Sequence, residues 1–197
     1  MNRGRLREVT DDPGRATGDP QAMNALIVYE SMYGNTEAVA GAIAEGLGPD
    51  FTTVLKAVHE AGTVPDDVNL LVVGGPTHMH GLSTSLSRSM AASAAKEDAT
   101  KLAPGATEGP GLRVWLRDLP RRAGGRAVAF DTRGDARAAV TGSAARGIAR
   151  RLRHHGYGVI ATESFLVADA EGPLEEGELD RARSWAAALA VERVPAA

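Results

Sequence analysis

The sequence predicts an α/β fold, a doubly wound parallel sheet of five strands in a single domain. Two patterns carry that expectation. Short runs are apolar at every step instead of every second step, which is how a strand covered on both faces reads. Segments with apolar residues at helical spacing alternate with these runs, and right-handed crossovers between parallel strands place such helices on both faces of the sheet. A chain of 197 residues is long enough to bury one full core.

Residues 1–22 hold Arg3, Arg5, Arg7 and Arg15 against Glu8, Asp11, Asp12 and Asp19, with little apolar periodicity, and read as a disordered leader to a domain spanning 23–194. Met23 stands directly before the first strand, so translation can start at Met1 or at Met23. Asn24–Glu30 forms that strand through Ala25-Leu26-Ile27-Val28-Tyr29. A helix follows from about Asn35, with Val39, Ile43 and Leu47 on one stripe, and closes at Gly48-Pro49. Phe51–Val58 and Val68–Gly75 are the second and third strands. Leu82–Lys101 is rich in Ser and Ala and helical in its later part, and Pro104-Gly105 and Gly109-Pro110-Gly111 break it off. Leu112, Trp115, Leu116 and Leu119 mark a short helix, and Arg126–Asp131 the fourth strand. Ser143–His155 is a helix with Ile148 and Leu152 inward and Gly156 at its C-terminal end. Tyr157–Val167 is the fifth strand, and Glu175–Arg193 the last helix, striped by Leu179, Ala182, Ala186 and Leu189.

Composition narrows the chemistry. The absence of cysteine excludes disulfides, thiolate metal sites, cysteine-ligated clusters and thiol nucleophiles. Redox chemistry must then come from a bound cofactor. The net charge of −3 and pI near 6.0 argue against nucleic acid as the partner. No run is long and apolar enough for a membrane span, and no secretory h-region is present, so the expected compartment is the cytoplasm. Aromatic residues make up only 4% of the chain.

In a doubly wound sheet, ligands sit beyond the carboxyl ends of the strands, where the winding reverses. The loop after the first strand reads Ser31-Met32-Tyr33-Gly34-Asn35-Thr36-Glu37. A turn this tight points successive backbone N–H groups inward, and the following helix adds partial positive charge there. Ser31 and Thr36 offer hydroxyls, Asn35 an amide, and Gly34 lets the backbone approach a bulky anion. The cradle lacks the lysine of a nucleoside-triphosphate loop and the Gly-x-Gly-x-x-Gly of a dinucleotide fold, and so suits a terminal monophosphate. The competing reading is a plain helix cap by Asn35 or Thr36.

The stretch from Glu30 to Glu37 resembles the FMN-phosphate loop of the flavodoxin family, and most of all the version in the flavodoxin modules of flavodiiron proteins. The resemblance extends over nearly the whole chain from Met23. It implies the sheet order 2-1-3-4-5, FMN as cofactor and electron transfer as activity. It carries over Ser31, the backbone N–H of Tyr33, Gly34, Asn35 and Thr36 as phosphate ligands, with Met32 inside the same loop. Tyr33 departs from the Thr or Ser usual there in short-chain flavodoxins.

The flavin ring is expected between two further loops. After the third strand come Gly74-Gly75-Pro76-Thr77-His78-Met79-His80-Gly81, which by resemblance lie along the ring, with Gly81 the candidate for a peptide that flips with redox state. Lacking a Trp, the loop would pack His78, Met79 and His80 on the flavin. His78-x-His80 as a metal site lacks further ligands, and surface histidines are the third reading. After the fourth strand, Thr132, Arg133 and Gly134 face the ring edge or ribityl chain, where Arg133 can stabilise a reduced flavin or a phosphate. The alternative is a solvated turn capped by Asp131 and Asp135. With no Tyr in this loop, the ring is more exposed, less firmly held, or covered by another subunit or by Trp115.

Residues 112–155 hold 11 Arg and 3 Asp, whereas 163–180 hold seven acids and no Lys or Arg. This asymmetry can steer an acidic redox partner or a pyridine-nucleotide phosphate, or mark solvated faces, with Arg146, Arg150 and Arg153 on one exposed side of their helix. The acidic stretch can also pair with that face. The resulting expectation is an FMN-binding electron-transfer flavoprotein with a redox protein or small-molecule acceptor as partner. Its rivals are an NAD(P)H:quinone reductase or protoporphyrinogen-oxidase-like oxidoreductase, and a cofactor-free binding module.

Overall fold

The structure, a computed structural model, describes residues 22–78, 81–84, 88, 89, 93, 102, 103, 105–135, 142–169 and 172–191. Residues 1–21, Met79, His80, Thr141, Arg193 and most of the stretch from 85 to 101 lie outside the described residues.

The strands are β1 (Met23–Tyr29), β2 (Phe51–Ala57), β3 (Val68–His78), β4 (Gly81–Leu82), β5 (Arg126–Gly134) and β6 (Gly158–Val167). The helices are α1 (Asn35–Leu47), α2 (Leu112–Asp118), α3 (Ala144–His154) and α4 (Glu178–Val191). The parallel sheet runs β2-β1-β3-β5-β6, the order expected for the five principal strands, and β4 is an added antiparallel stub on the end of β3. Register places Tyr29 beside Gly74 and Gly74 beside Phe130, so the three central strands end at one edge.

Alternation along the central strands divides the core into two halves. Leu26, Val28, Leu71, Val73, Ala127 and Ala129 meet α2 and α3 through Leu112, Leu116, Ile148 and Leu152. Ala25, Ile27, Leu70, Val72, Val128 and Phe130 meet α1 and α4 through Val39, Ile43, Ala182 and Ala186. Every one of these side chains is buried, which explains why the strands read as unbroken apolar runs. Helix α3 ends as its sequence predicts: Gly156 takes φ 91°, its N–H donates to Arg153 C=O at 3.0 Å, and Tyr157 N–H donates to Leu152 C=O at 3.1 Å.

Several boundaries differ from the expectation. The ladder between β3 and β5 continues through Gly75–Asp131 and Pro76–Thr132, beyond the apolar stretch, so Pro76–His78 and Thr132–Gly134 are strand ends and not free loops. The last helix begins at Glu178, after an isolated bridge between Val167 and Leu174. Trp115 is no lid, because it lies in the core and donates its indole N–H to Gly62 C=O at 2.8 Å. Arg146, Arg150 and Arg153 are exposed as expected, while described members of the acidic stretch pair within their own neighbourhood, Glu163 and Glu178 with Arg181 and Asp180 with Arg183.

Candidate functional site

The loop from β1 to α1 enters its helix through a left-handed glycine. Gly34, the residue before the helix, takes φ 87°, a left-handed backbone that an L side chain adopts only under strain. No side chain caps α1, and its first intrahelical bond is from Ala38 N–H to Gly34 C=O at 2.9 Å. The N–H groups of residues 35–37 therefore precede any intrahelical acceptor. Asn35 and Thr36 do not act as the cap, which removes the plain-cap reading. Ser31 is buried at 7% exposure, and its hydroxyl has no hydrogen-bond partner among the described residues. A buried polar group without a partner costs about 1–3 kcal/mol, which a donor or acceptor beyond the described residues would relieve.

Other members of the loop have defined places. Thr36 is buried, and its hydroxyl meets that of Thr132 at 2.8 Å. That contact joins the start of α1 to the end of β5 and brings two of the three sequence-selected segments together. Asn35 turns its amide N–H to Gly172 C=O at 2.6 Å, so one of its donors is committed to the segment before α4. Met32 is a core residue at 1% exposure; its carbonyl accepts from Ala103 N–H at 2.8 Å. It belongs to the loop through its backbone and not its side chain. Beneath the loop, Tyr29 donates to Glu37 at 3.0 Å, and burial, then this bond, push its phenol up to about 12.

The third segment joins through Asp131. This residue is fully buried and is not a solvated turn cap: its Oδ2 accepts from Thr77 Oγ1 at 2.9 Å, Ser143 Oγ at 2.7 Å and Ala145 N–H at 2.9 Å. Thr77 Oγ1 accepts in turn from Ala144 N–H at 2.8 Å, and its hydroxyl is thereby spent on holding β3, β5 and α3 together. Pro76 and Thr77 are half-buried strand residues. Gly81 pairs with His78 in the antiparallel β3–β4 ladder, and a Cβ added to it would meet nothing within 4 Å. His78 is half-buried, and its buried Nε2 has no partner among the described residues; burial holds its imidazole below the usual range, and the charge of Glu30 pulls the other way. Arg133 and Gly134 are half-buried at the end of β5, with Arg133 donating to Gly134 C=O at 3.2 Å.

Gly74 and Gly75 serve packing. A Cβ on Gly74 would sit 2.0 Å from Phe130 Cζ, and one on Gly75 would sit 2.8 Å from Leu112 Cδ2.

Two acids escaped the sequence reading, Glu30 as a buried group and Asp131 as a tie between elements. Each directly follows an apolar strand run, the only sequence signal available for it. Among the described residues, no group of three His, Asp or Glu side chains gathers to hold a metal ion, and no helix is long and apolar enough to cross a membrane.

Comparisons against known proteins bear on the fold. The flavodoxin family model matches residues 27–113. An archaeal flavodoxin structure is 18% identical with a TM-score of 0.51, covering 86% of this chain and 98% of that one. Flavodoxin 1 of Bacillus cereus is 13% identical with a TM-score of 0.56, covering 87% and 99%. Flavodoxin 2 of the same organism is 20% identical with a TM-score of 0.53, covering 86% and 99%. At these identities the structural likeness speaks for the fold. No curated protein sequence matches.

Proposed function

We propose that this chain, flavodoxin-like in family and fold, holds FMN at the carboxyl edge of its sheet and serves in electron transfer. The observation that carries the reading is the orphaned, buried Ser31 hydroxyl in a loop whose helix starts uncapped behind left-handed Gly34. A dianionic phosphate matches that donor set, since it gains from the helix N-terminus, the free N–H groups and the hydroxyl together. When bound, FMN supplies the redox chemistry that a chain without cysteine does not carry itself.

The chain's own residues bind, orient and enclose. Ser31, the backbone of Tyr33 and Gly34, Asn35 and Thr36 take the phosphate. Pro76, Thr77, His78, Gly81, Thr132, Arg133 and Gly134 flank the ring and ribityl chain, and Met79 and His80 join them by sequence alone. The Thr36–Thr132 contact fixes the spacing between the phosphate end and the ring end. Electron transfer is favoured over organic catalysis because the two buried carboxylates near the strand ends are each anchored through one oxygen, Glu30 Oε2 by Ser83 and Leu112 and Asp131 Oδ2 by Thr77, Ser143 and Ala145, while the other oxygen of each is buried. A general acid or base needs to be freer than that.

The test is an absorption spectrum of the freshly purified protein, followed by titration with FMN. Flavin bands, or binding at micromolar FMN, are expected; neither appearing would overturn the assignment. Mixing the loaded protein with NADPH and a quinone then separates roles: inertness to NADPH is expected of a carrier, and sustained turnover would make it a reductase.

A further inference from the structure

Glu30 is 3% exposed and stands between the end of β1 and the anion loop. Its backbone N–H donates to Gly74 C=O at 3.0 Å, which fixes it to the end of β3. One carboxylate oxygen, Oε2, accepts from Ser83 Oγ just after β4 at 2.6 Å and from Leu112 N–H at the start of α2 at 3.1 Å. The other, Oε1, lies 3.3 Å from Arg88 Nε. Arg88 in turn donates to Gly109 C=O at 3.1 Å and Glu108 C=O at 2.9 Å. Gly111 closes over the pair so tightly that a Cβ there would sit 2.9 Å from Arg88 Nη1 and 3.3 Å from Glu30 Oε1.

One carboxylate and one guanidinium therefore join the anion loop, the β4 segment and the 108–112 turn. An unpaired buried charge would cost several kcal/mol, so the two are kept as a neutral unit. The Nε–Oε1 contact is an ion pair without an aligned hydrogen bond, because neither atom has a hydrogen-bond partner among the described residues. The attraction between the two is thus mainly coulombic, and in a buried setting such charges act over several ångströms. His78, at the end of β3, already feels the charge of Glu30.

We propose that Glu30 and Arg88 are a positioning pair for the flavin: they hold the β4 segment and the start of α2 against the anion loop and set a compensated field at the ring. The inference rests on the FMN reading above. Reduction places negative charge on the ring, so removing Glu30 alone leaves Arg88 to favour the reduced state, and removing Arg88 alone leaves Glu30 to oppose it. A pair that merely supported the fold would move stability without this opposition of sign.

The experiment measures the midpoint potential of FMN bound to the full chain, together with its dissociation constant. Glu30→Gln, close in shape, is expected to raise the potential, Arg88→Gln to lower it, and the double variant to return close to the parent value. Arg88→Lys keeps the charge while losing the fork to Gly109 and Glu108, and is expected to hold the potential while weakening FMN binding several-fold. If Arg88→Gln does not fold, Glu30→Gln and Arg88→Lys decide the matter: a raised potential in the first and an unmoved one in the second support the pair. Shifts of the same sign in both single-charge removals, or none in Glu30→Gln, overturn it. Failure of the parent protein to bind FMN overturns the functional reading itself, and this inference with it.

Discussion

Replacing Thr36 with Val tests the anion loop at the residue that also joins it to the far side of the site. The side chain keeps its volume and β-branching, so packing at this buried position is preserved and only the hydroxyl is lost. Two costs follow. Without ligand, the 2.8 Å contact to Thr132 disappears, at about 1 kcal/mol, which for a domain of this size lowers Tm by roughly 2–4 °C. With ligand, the hydrogen bond to a charged phosphate also goes, worth about 1.5–3 kcal/mol, or roughly 10- to 150-fold in affinity. The second cost belongs to the phosphate alone. Fluorescence titration with FMN and with riboflavin, which has no phosphate, separates them: FMN should lose that factor, riboflavin little, and Thr36→Ser should restore most of the FMN affinity. An equal loss for both ligands, or an unchanged FMN affinity, would refute the role given to Thr36.

Gly74→Ala should destabilise by about 1–3 kcal/mol or more, because the new methyl would meet the Phe130 ring at 2.0 Å while that ring already packs edge-on against Phe165. Urea unfolding should show Gly74→Ala/Phe130→Leu to be more stable than the sum of the single changes predicts. The raised Tyr29 phenol gives a pH signature: the unfolded chain ionises from about pH 10.0 and the folded one only near 12, so the unfolded state binds fewer protons between them and stability falls as pH rises through that window. Tyr29→Phe should remove that part of the alkaline loss in pH-dependent unfolding curves, and an identical slope in the variant would exclude the phenol as its source. Ring exposure is testable by iodide quenching of bound FMN, which should reach the flavin readily; full protection would show that a cover has been overlooked.

The sheet was legible because a central strand between two helical layers has no solvent face, and its sequence has to say so. Leu70-Leu71-Val72-Val73 is buried at every position, and no other common element yields that pattern beside helix-period segments. Strand ends were less legible for the same reason. Past Gly75 the ladder to β5 continues by backbone pairing while the helices no longer cover it, so Pro76–His78 carry loop-like residues in strand geometry. The turn from β1 into α1 was readable because local backbone chemistry, a left-handed glycine before a helix start, is written in adjacent residues. Glu30 and Asp131 were not readable, since a single acid after an apolar run is usually solvated and only partners from 53 to 82 positions away for Glu30 make it a buried hub.

The scarcity of aromatic residues has a physical explanation in where they went. Tyr29, Phe51, Trp115, Phe130, Tyr157 and Phe165 are all buried, and Trp185 packs edge-on against Phe165 at 6.1 Å. That leaves half-buried Tyr33, in the loop from β1 to α1, as the one aromatic residue outside the core. An aromatic side chain is worth most where it fills volume, and a sheet whose β5 runs through Ala127-Val128-Ala129-Phe130 needs large rings elsewhere to close its layers. The core and the site thus draw on the same small supply. What remains at the strand ends is imidazole, hydroxyl and charge, and under the proposal that this edge holds a flavin its tuning would fall to electrostatics, to which the Glu30–Arg88 pair contributes.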